Sequence, residues 1–218
     1  MRFELFIAWR YLTARRREKF ISLISFISVA GVAVGVAALI VVLSVMAGFD
    51  NDLKEKIIGI NPHVLVEKTS GMPQSDSAID KIEPMEDVLY VSPYINGQVI
   101  LKTNDLTIGA LVRGMDMRQS GSVLKIKDYL VKGKLPETEK DIVVGKELAN
   151  MLNLDLAGKV TVISPFDSKK YEFSVSGIFS CGMYDYDANA AFMSLKDAQQ
   201  IFVMPELITG IGVRLKDP

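Results

Sequence analysis

Phe20–Phe49 reads FISLISFISVAGVAVGVAALIVVLSVMAGF, thirty consecutive residues without a charge. As a helix rising about 1.5 Å per residue, the run would extend about 45 Å, against a hydrocarbon core of about 30 Å. It predicts a transmembrane helix whose last two turns project beyond the hydrocarbon on the far side. The flanks set its direction. Residues 1–19 carry six basic and two acidic side chains, a net of +4, whereas the rest of the chain has a net of −5, so the overall −1 conceals a dipolar chain. Lys and Arg beside a span stay on the cytoplasmic side, which places the N-terminus inside and everything after Phe49 outside. A cleaved signal peptide would share the basic start, and Val45-Met46-Ala47 resembles a small-residue cleavage site. A signal core, however, has about 7–15 apolar residues, and this run is twice that. The span is read as retained.

Within it, Ser28, Gly31, Gly35 and Ala38 fall on one strip of the helix. Small residues let a second backbone approach closely, which is how helices associate in lipid, so the strip implies a facing helix. Residues 1–19 combine Phe3, Phe6, Ile7 and Arg10 at helical spacing with Trp9, Tyr11 and Leu12 nearby. This composition suits either a short amphipathic helix on the inner membrane surface or a helical extension of the anchor.

Residues 50–218 are enough for one domain with its own core. Asn61-Pro62 breaks the chain, His63–Glu67 reads as a strand, Met72–Asp76 as turn-rich, and Ser77–Met85 as a short helix ended near Pro84. Strands are expected at Val88–Ser92, Gln98–Thr103 and Leu106–Gly114, the last two joined by a hairpin turn at Asn104-Asp105. Ile142–Val144, Val160–Ser164, Tyr171–Phe179, Ala191–Met193 and Ile208–Leu215 complete the strands, with helices over Lys146–Leu152 and Leu195–Phe202. Strands interrupted by short helices, without regular β-α-β alternation, indicate an α+β domain.

Catalytic chemistry finds little to hold. The chain has one histidine, His63, and one cysteine, Cys181, too few for a zinc site at set spacing or an internal disulfide. His63 reads as a surface or structural histidine and Cys181 as a small buried hydrophobe. No G-x-x-x-x-G-K-[ST] phosphate loop occurs, so nucleotide hydrolysis is not expected of this chain. Asp185 and Asp187 bracket Tyr186 and read as a solvated turn rather than a catalytic pair. The outside domain has no basic stripe for nucleic acid. No cofactor and no metal are expected.

Particular strings then carry a resemblance. The opening from Phe3 to Val64, including FELFIAWRYLTARRREKF and AGFDNDLKEKIIGINPHV, resembles the lipoprotein-releasing system permeases, the LolC/LolE family. So do DIVVGKELANMLNL (141–154), VTVISP (160–165) and FSVSGIFSCGMYDYDANAAFMSLKDAQQIF (173–202). The resemblance implies a membrane protein with a MacB-like periplasmic core, in the inner membrane of a bacterium with two membranes. It implies a separate ABC ATPase, a second permease subunit, acylated lipoprotein cargo, membrane lipid around the helix and a soluble periplasmic lipoprotein carrier as partners. Extracting acyl chains needs a receiving apolar surface, and Val42, Val45, Met46 and Phe49 lie roughly on one side of the outer helix end. They are the expected acyl-chain contacts.

Two departures accompany the resemblance. Carrier-recruiting members have a long hairpin between the strands matching Val160–Ser164 and Tyr171–Phe179, whereas here only Pro165–Lys170 connects them. Pro165 and Phe166 are the remaining candidates for carrier contact. Family members also continue into three more spanning helices, and this sequence ends at Pro218, inside or at the end of the outside domain, which suggests a truncated or split subunit. Alternative readings are an export permease of the MacB type for peptides or drugs, and a single-pass sensor or scaffold.

Overall fold

The computed structural model describes residues 2–13, 19–75, 77–104, 106–116 and 125–216. Arg15, Arg16, Arg17 and Glu18 of the basic flank, and Asp105 of the hairpin turn, lie outside the described residues. Contacts divide the chain into two compact units, Met1–Leu53 and Lys54–Pro218.

The first unit is helical. α1 spans Arg2–Thr13, and α2 spans Lys19–Ile60, its last seven residues belonging to the second unit. By length and composition Leu23–Asp50 is able to cross a membrane, and none of that window is covered by other parts of the protein. α2 stops where Pro62 follows, because a residue preceding proline is pushed out of helical geometry.

In the second unit nine strands form one sheet: β1 Val64–Pro73, β2 Val88–Lys102, β3 Thr107–Met115, β4 Leu130–Gly133, β5 Asp141–Gly145, β6 Lys159–Ile163, β7 Lys170–Phe179, β8 Ala190–Ser194 and β9 Leu207–Leu215. Between them lie α3 Ser77–Ile82, a 3-10 turn Lys125–Tyr129, α4 Lys146–Met151, α5 Tyr184–Asn189 and α6 Leu195–Ile201. Six strands pair in a closed ring, β2-β3-β8-β5-β7-β6 and back to β2, with β3·β8 and β5·β7 parallel and the rest antiparallel. Registers carry one face around the whole ring: Leu101 opposes Val162, Val160 opposes Phe173, Val175 opposes Ile142, and Ala191 opposes both Val144 and Val112. All of these are buried in one apolar cluster. Side chains alternate sides along a strand, so closure turns six half-apolar strands into a filled barrel.

α6 packs against this apolar face at two glycines. A Cβ on Gly114 would lie 2.0 Å from the Ala198 Cβ, and one on Gly97 would meet the Phe202 ring at 2.5 Å. Ser194 caps α6 by accepting from the Asp197 N–H (3.0 Å). Buried Asp197 in turn accepts the Lys140 backbone N–H at 3.1 Å and pairs with its ammonium.

The opposite face of β2, β3, β8, β5 and β7 holds a second cluster: Tyr94, Met115, Phe192, Val143 and Phe179, with Phe179 and Phe192 edge to face at 5.3 Å. Ile60, the last residue of α2, is fully buried in it, beside Ile126 and Cys181.

The observed class is a mixed α/β domain after an apolar helix. Val88–Ser92 and Gln98–Thr103 are one strand, β2. Pro93 is tolerated because the β3 ladder begins one residue later, at Tyr94↔Met115, so its missing N–H breaks no pair. β1 also runs through the expected turn at Met72 to Pro73, after an irregularity that Gly71 accommodates at φ +75°. Asp185–Asp187 is not a solvated turn: it lies in α5, and Asp187 is buried. Gly114→Val should force α6 off β3 and cost about 1–3 kcal/mol, while Gly109→Ala, with open space around its Cβ, should be near neutral. Thermal unfolding of the two variants checks this.

Candidate functional site

Positions 28, 31, 35, 38, 42, 45 and 49 advance by threes and fours, the spacing that keeps one seam facing a partner helix. The small strip and the proposed acyl contacts therefore share one side of α2. A Cβ added to Gly31 or Gly35 would meet nothing within 4 Å. Ser28 and Ala38 are exposed as well. Farther out, Val42, Val45 and Phe49 are bulky, and with Met46 beside them they are exposed by 58–67%. The strip is thus small-sided in its first half and bulky in its second.

Beyond the seam, α2 enters the second unit. A Cβ on Gly59 would lie 2.2 Å from the Tyr129 hydroxyl, so the last helical turn passes against the 3-10 segment. Asn61 then ties the helix end to α5 and β3: its amide donates to the Tyr186 hydroxyl at 2.7 Å, and its carbonyl accepts from Arg113 at 3.2 Å. The Arg113 guanidinium lies over the Tyr94 ring, 5.7 Å from its centroid, and Tyr94 donates to Glu67 at 2.6 Å. Burial pulls the Arg113 pKa down, and burial together with the Glu67 carboxylate holds Tyr94 protonated far above the usual phenol range. Sequence reading missed this group. The available signal was a lone arginine in the strand LVRGM, flanked by residues that must be buried.

Asp187 is the other buried polar centre. It accepts from the Ser180 hydroxyl (2.7 Å), the Cys181 N–H (2.9 Å) and the Cys181 thiol (3.2 Å). This satisfies the carboxylate and fixes α5 against the sheet. It also makes Cys181 a poor nucleophile, since burial and the neighbouring carboxylate push its pKa up to about 11. His63 accepts through Nδ1 from the Leu215 N–H at 3.2 Å, a structural role.

The Pro165–Lys170 connection sits over a groove. Phe166 is 69% exposed, its ring edge to face with Phe202 at 6.3 Å. The groove, about 690 Å³, is lined by Phe166, Phe202, Val203, Met204, Asn96 and Gln98 among others. Pro165 lines it too. Among the described residues no group of three or more His, Cys, Asp or Glu is placed to hold a metal ion.

Residues 25–218 match the family described as the MacB-like periplasmic core domain. The chain is similar to the lipoprotein-releasing system transmembrane protein LolC of Neisseria meningitidis serogroup B, 30% identical over 227 residues, covering 99% of this chain and 55% of that protein. It is similar to LolC of Xylella fastidiosa strain Temecula1, at 32% over 224 residues (97% and 54%), and to LolE of Haemophilus influenzae, at 26% over 237 residues (100% and 56%). The chain thus spans about half the length of these relatives. Among solved structures, the periplasmic region of MacB from Actinobacillus actinomycetemcomitans superposes with TM-score 0.51 at 17% identity, over 75% of this chain and 78% of that one. The extracellular domain of the ABC-type transporter YknZ gives 0.52 at 10% identity, over 71% and 84%. These two likenesses carry the fold.

The raised thiol pKa has a signed consequence. Because the folded value lies above the unfolded one, Cys181 contributes stability at pH below about 9 and loses that contribution as pH rises through about 11. At pH 8 the folded protein should resist iodoacetamide and react fully once unfolded in guanidinium; rapid alkylation of the folded chain would contradict the buried Asp187–Cys181 contact.

Proposed function

Because the chain belongs to the family of the MacB-like periplasmic core domain, with LolC and LolE permeases as its matched relatives, we propose that it is a permease component that lifts acylated lipoproteins from the inner membrane. In this reading its N-terminus is cytoplasmic, α2 crosses the bacterial inner membrane, and the second unit lies in the periplasm. The positive charge of residues 1–19 supports that orientation.

The observation that carries the reading is the seam of α2. Two permease helices packed along Ser28, Gly31, Gly35 and Ala38 would separate along Val42, Val45 and Phe49, opening an apolar cleft at the outer leaflet. Acyl chains leaving lipid lose about 0.8 kcal/mol per CH₂, so a receiving surface is needed before any carrier arrives. Met46 suits that surface because its thioether adapts to irregular apolar partners. An unbroken helix then leads from the cleft to Ile60 and Asn61, which are bound into the second unit. Movement of the domain and of the helix would be coupled through that turn. Work would come from a separate ABC ATPase, the second permease copy would supply the facing helix, and a soluble carrier would receive the cargo. Pro165 and Phe166 are the proposed carrier contact.

A photo-crosslinking residue at Met46 or Phe49, placed in the protein in its native membrane, should capture palmitate-labelled lipoproteins, whereas one at Gly35 should capture a permease helix. Capture of phospholipid alone at Met46 and Phe49 would contradict the cleft. In mild detergent, an ABC ATPase should co-purify with the chain; purification with a histidine kinase would favour a sensor instead.

A further inference from the structure

We propose that the opening in the sheet between β9 and β6 binds an extended peptide, which adds a strand to the exposed edge of β2. The inference stands apart from the seam of α2 and does not rest on lipoprotein release.

Four observations converge on this opening. First, β9 accompanies β2 only as far as Tyr94↔Gly210, and β6 joins it only at Ile100↔Ile163. Between them β2 has no strand on that side among the described residues. The Asn96 N–H donates to the Thr209 hydroxyl (2.9 Å), which itself reaches the Tyr94 carbonyl (3.3 Å). Main-chain groups alternate sides along a strand, so the next donor and acceptor aimed into the opening belong to Gln98. Continued register with β6 places Pro165 opposite Gln98, and proline has no N–H to offer.

Second, the Asn96 side-chain carbonyl is buried in the same wall with no hydrogen-bond partner. An unpaired buried acceptor is costly, and a peptide N–H is the donor that would satisfy it. Third, apolar side chains line the groove beside the edge: Phe166, Phe202, Val203 and Met204. Val203 is held at φ +54°, a conformation a β-branched residue rarely adopts, and it presents an exposed side chain to the groove. Fourth, the one charged residue among the described lining residues, Asp167, is already ion-paired with Lys169 at 2.9 Å, so the groove suits an uncharged segment. Strand addition draws affinity from main-chain hydrogen bonds and specificity from alternate side chains, and this opening supplies both.

The test uses the full chain in phosphatidylcholine nanodiscs and the acetylated, amidated peptide Lys-Thr-Val-Thr-Val. Saturating peptide should slow hydrogen exchange in the segment 95–99. The same peptide N-methylated at its two central residues keeps its side chains but loses strand hydrogen bonds, and should bind about tenfold more weakly or worse. Phe166→Ala should also lower affinity about tenfold with no change in thermal midpoint. Equal binding of the N-methylated peptide would mean simple apolar capture, of an acyl chain or any greasy segment, and would overturn the proposal. So would unaltered exchange at 95–99 with peptide up to about 1 mM, or unchanged affinity in Phe166→Ala.

Discussion

One helix must satisfy two solvents, and the rest of the molecule follows from that. Along α2 the stretch from Leu23 to Asp50 has no protein covering it, and its exposed valines, leucines and isoleucines are stable only where water is absent. Ten residues later Ile60 is completely buried by protein. Between these limits lies the charged segment Asp50-Asn51-Asp52-Leu53-Lys54-Glu55-Lys56, suited to the watery zone between lipid and domain. No proline interrupts the helix until Pro62. Its apolar stretch suits lipid at one end, and core burial of Ile60 holds it at the other.

The second unit is arranged to receive that end. Closing six strands into a ring buries one face of each, leaving the other face of β2, β3, β8, β5 and β7 to be covered. The tip of α2, the 3-10 turn and α5 cover it with Ile60, Ile126, Tyr129 and Tyr186. Two buried polar sets here are satisfied: Asn61 with Arg113 and Tyr186, and Asp187 with Ser180 and Cys181. Glycines make the close approaches possible. Gly210 lies under the Tyr94 ring and Gly212 under Pro62, where any side chain would displace the residues that lock the helix end.

Much of this was legible in the chain, and what was not has physical causes. The long apolar helix was plain because thirty uncharged residues admit few other readings. β3, β5, β7, β8 and β9 were recognisable within a residue or two from alternation and β-branched content. β2 was read as two strands because Pro93 and Gly97 are local breakers, and only the ladder to β3 shows that neither breaks a needed bond. β4, LVKG, is too short to carry a pattern. Asp187 looked solvent-facing because its three donors are set by tertiary placement. Ring closure and the opening beside Gln98 depend on pairings between segments about sixty residues apart, which no local window contains. The seam of α2 was half legible: its small residues were evident, while its continuation into Val42, Val45 and Phe49 emerges from following one helical register throughout.

The proposed function requires that α2 be a single retained rod that leaves the cytoplasm, crosses lipid and ends in the folded domain. Single cysteines at Phe3 and Asp52, probed in intact spheroplasts with a membrane-impermeant maleimide, test it most directly, since buried Cys181 gives no background. The account predicts labelling at 52 from outside and at 3 only after the membrane is opened, on a polypeptide that still carries residues 1–47. Labelling of both from one side, or a mature chain beginning at Gly48, would contradict it.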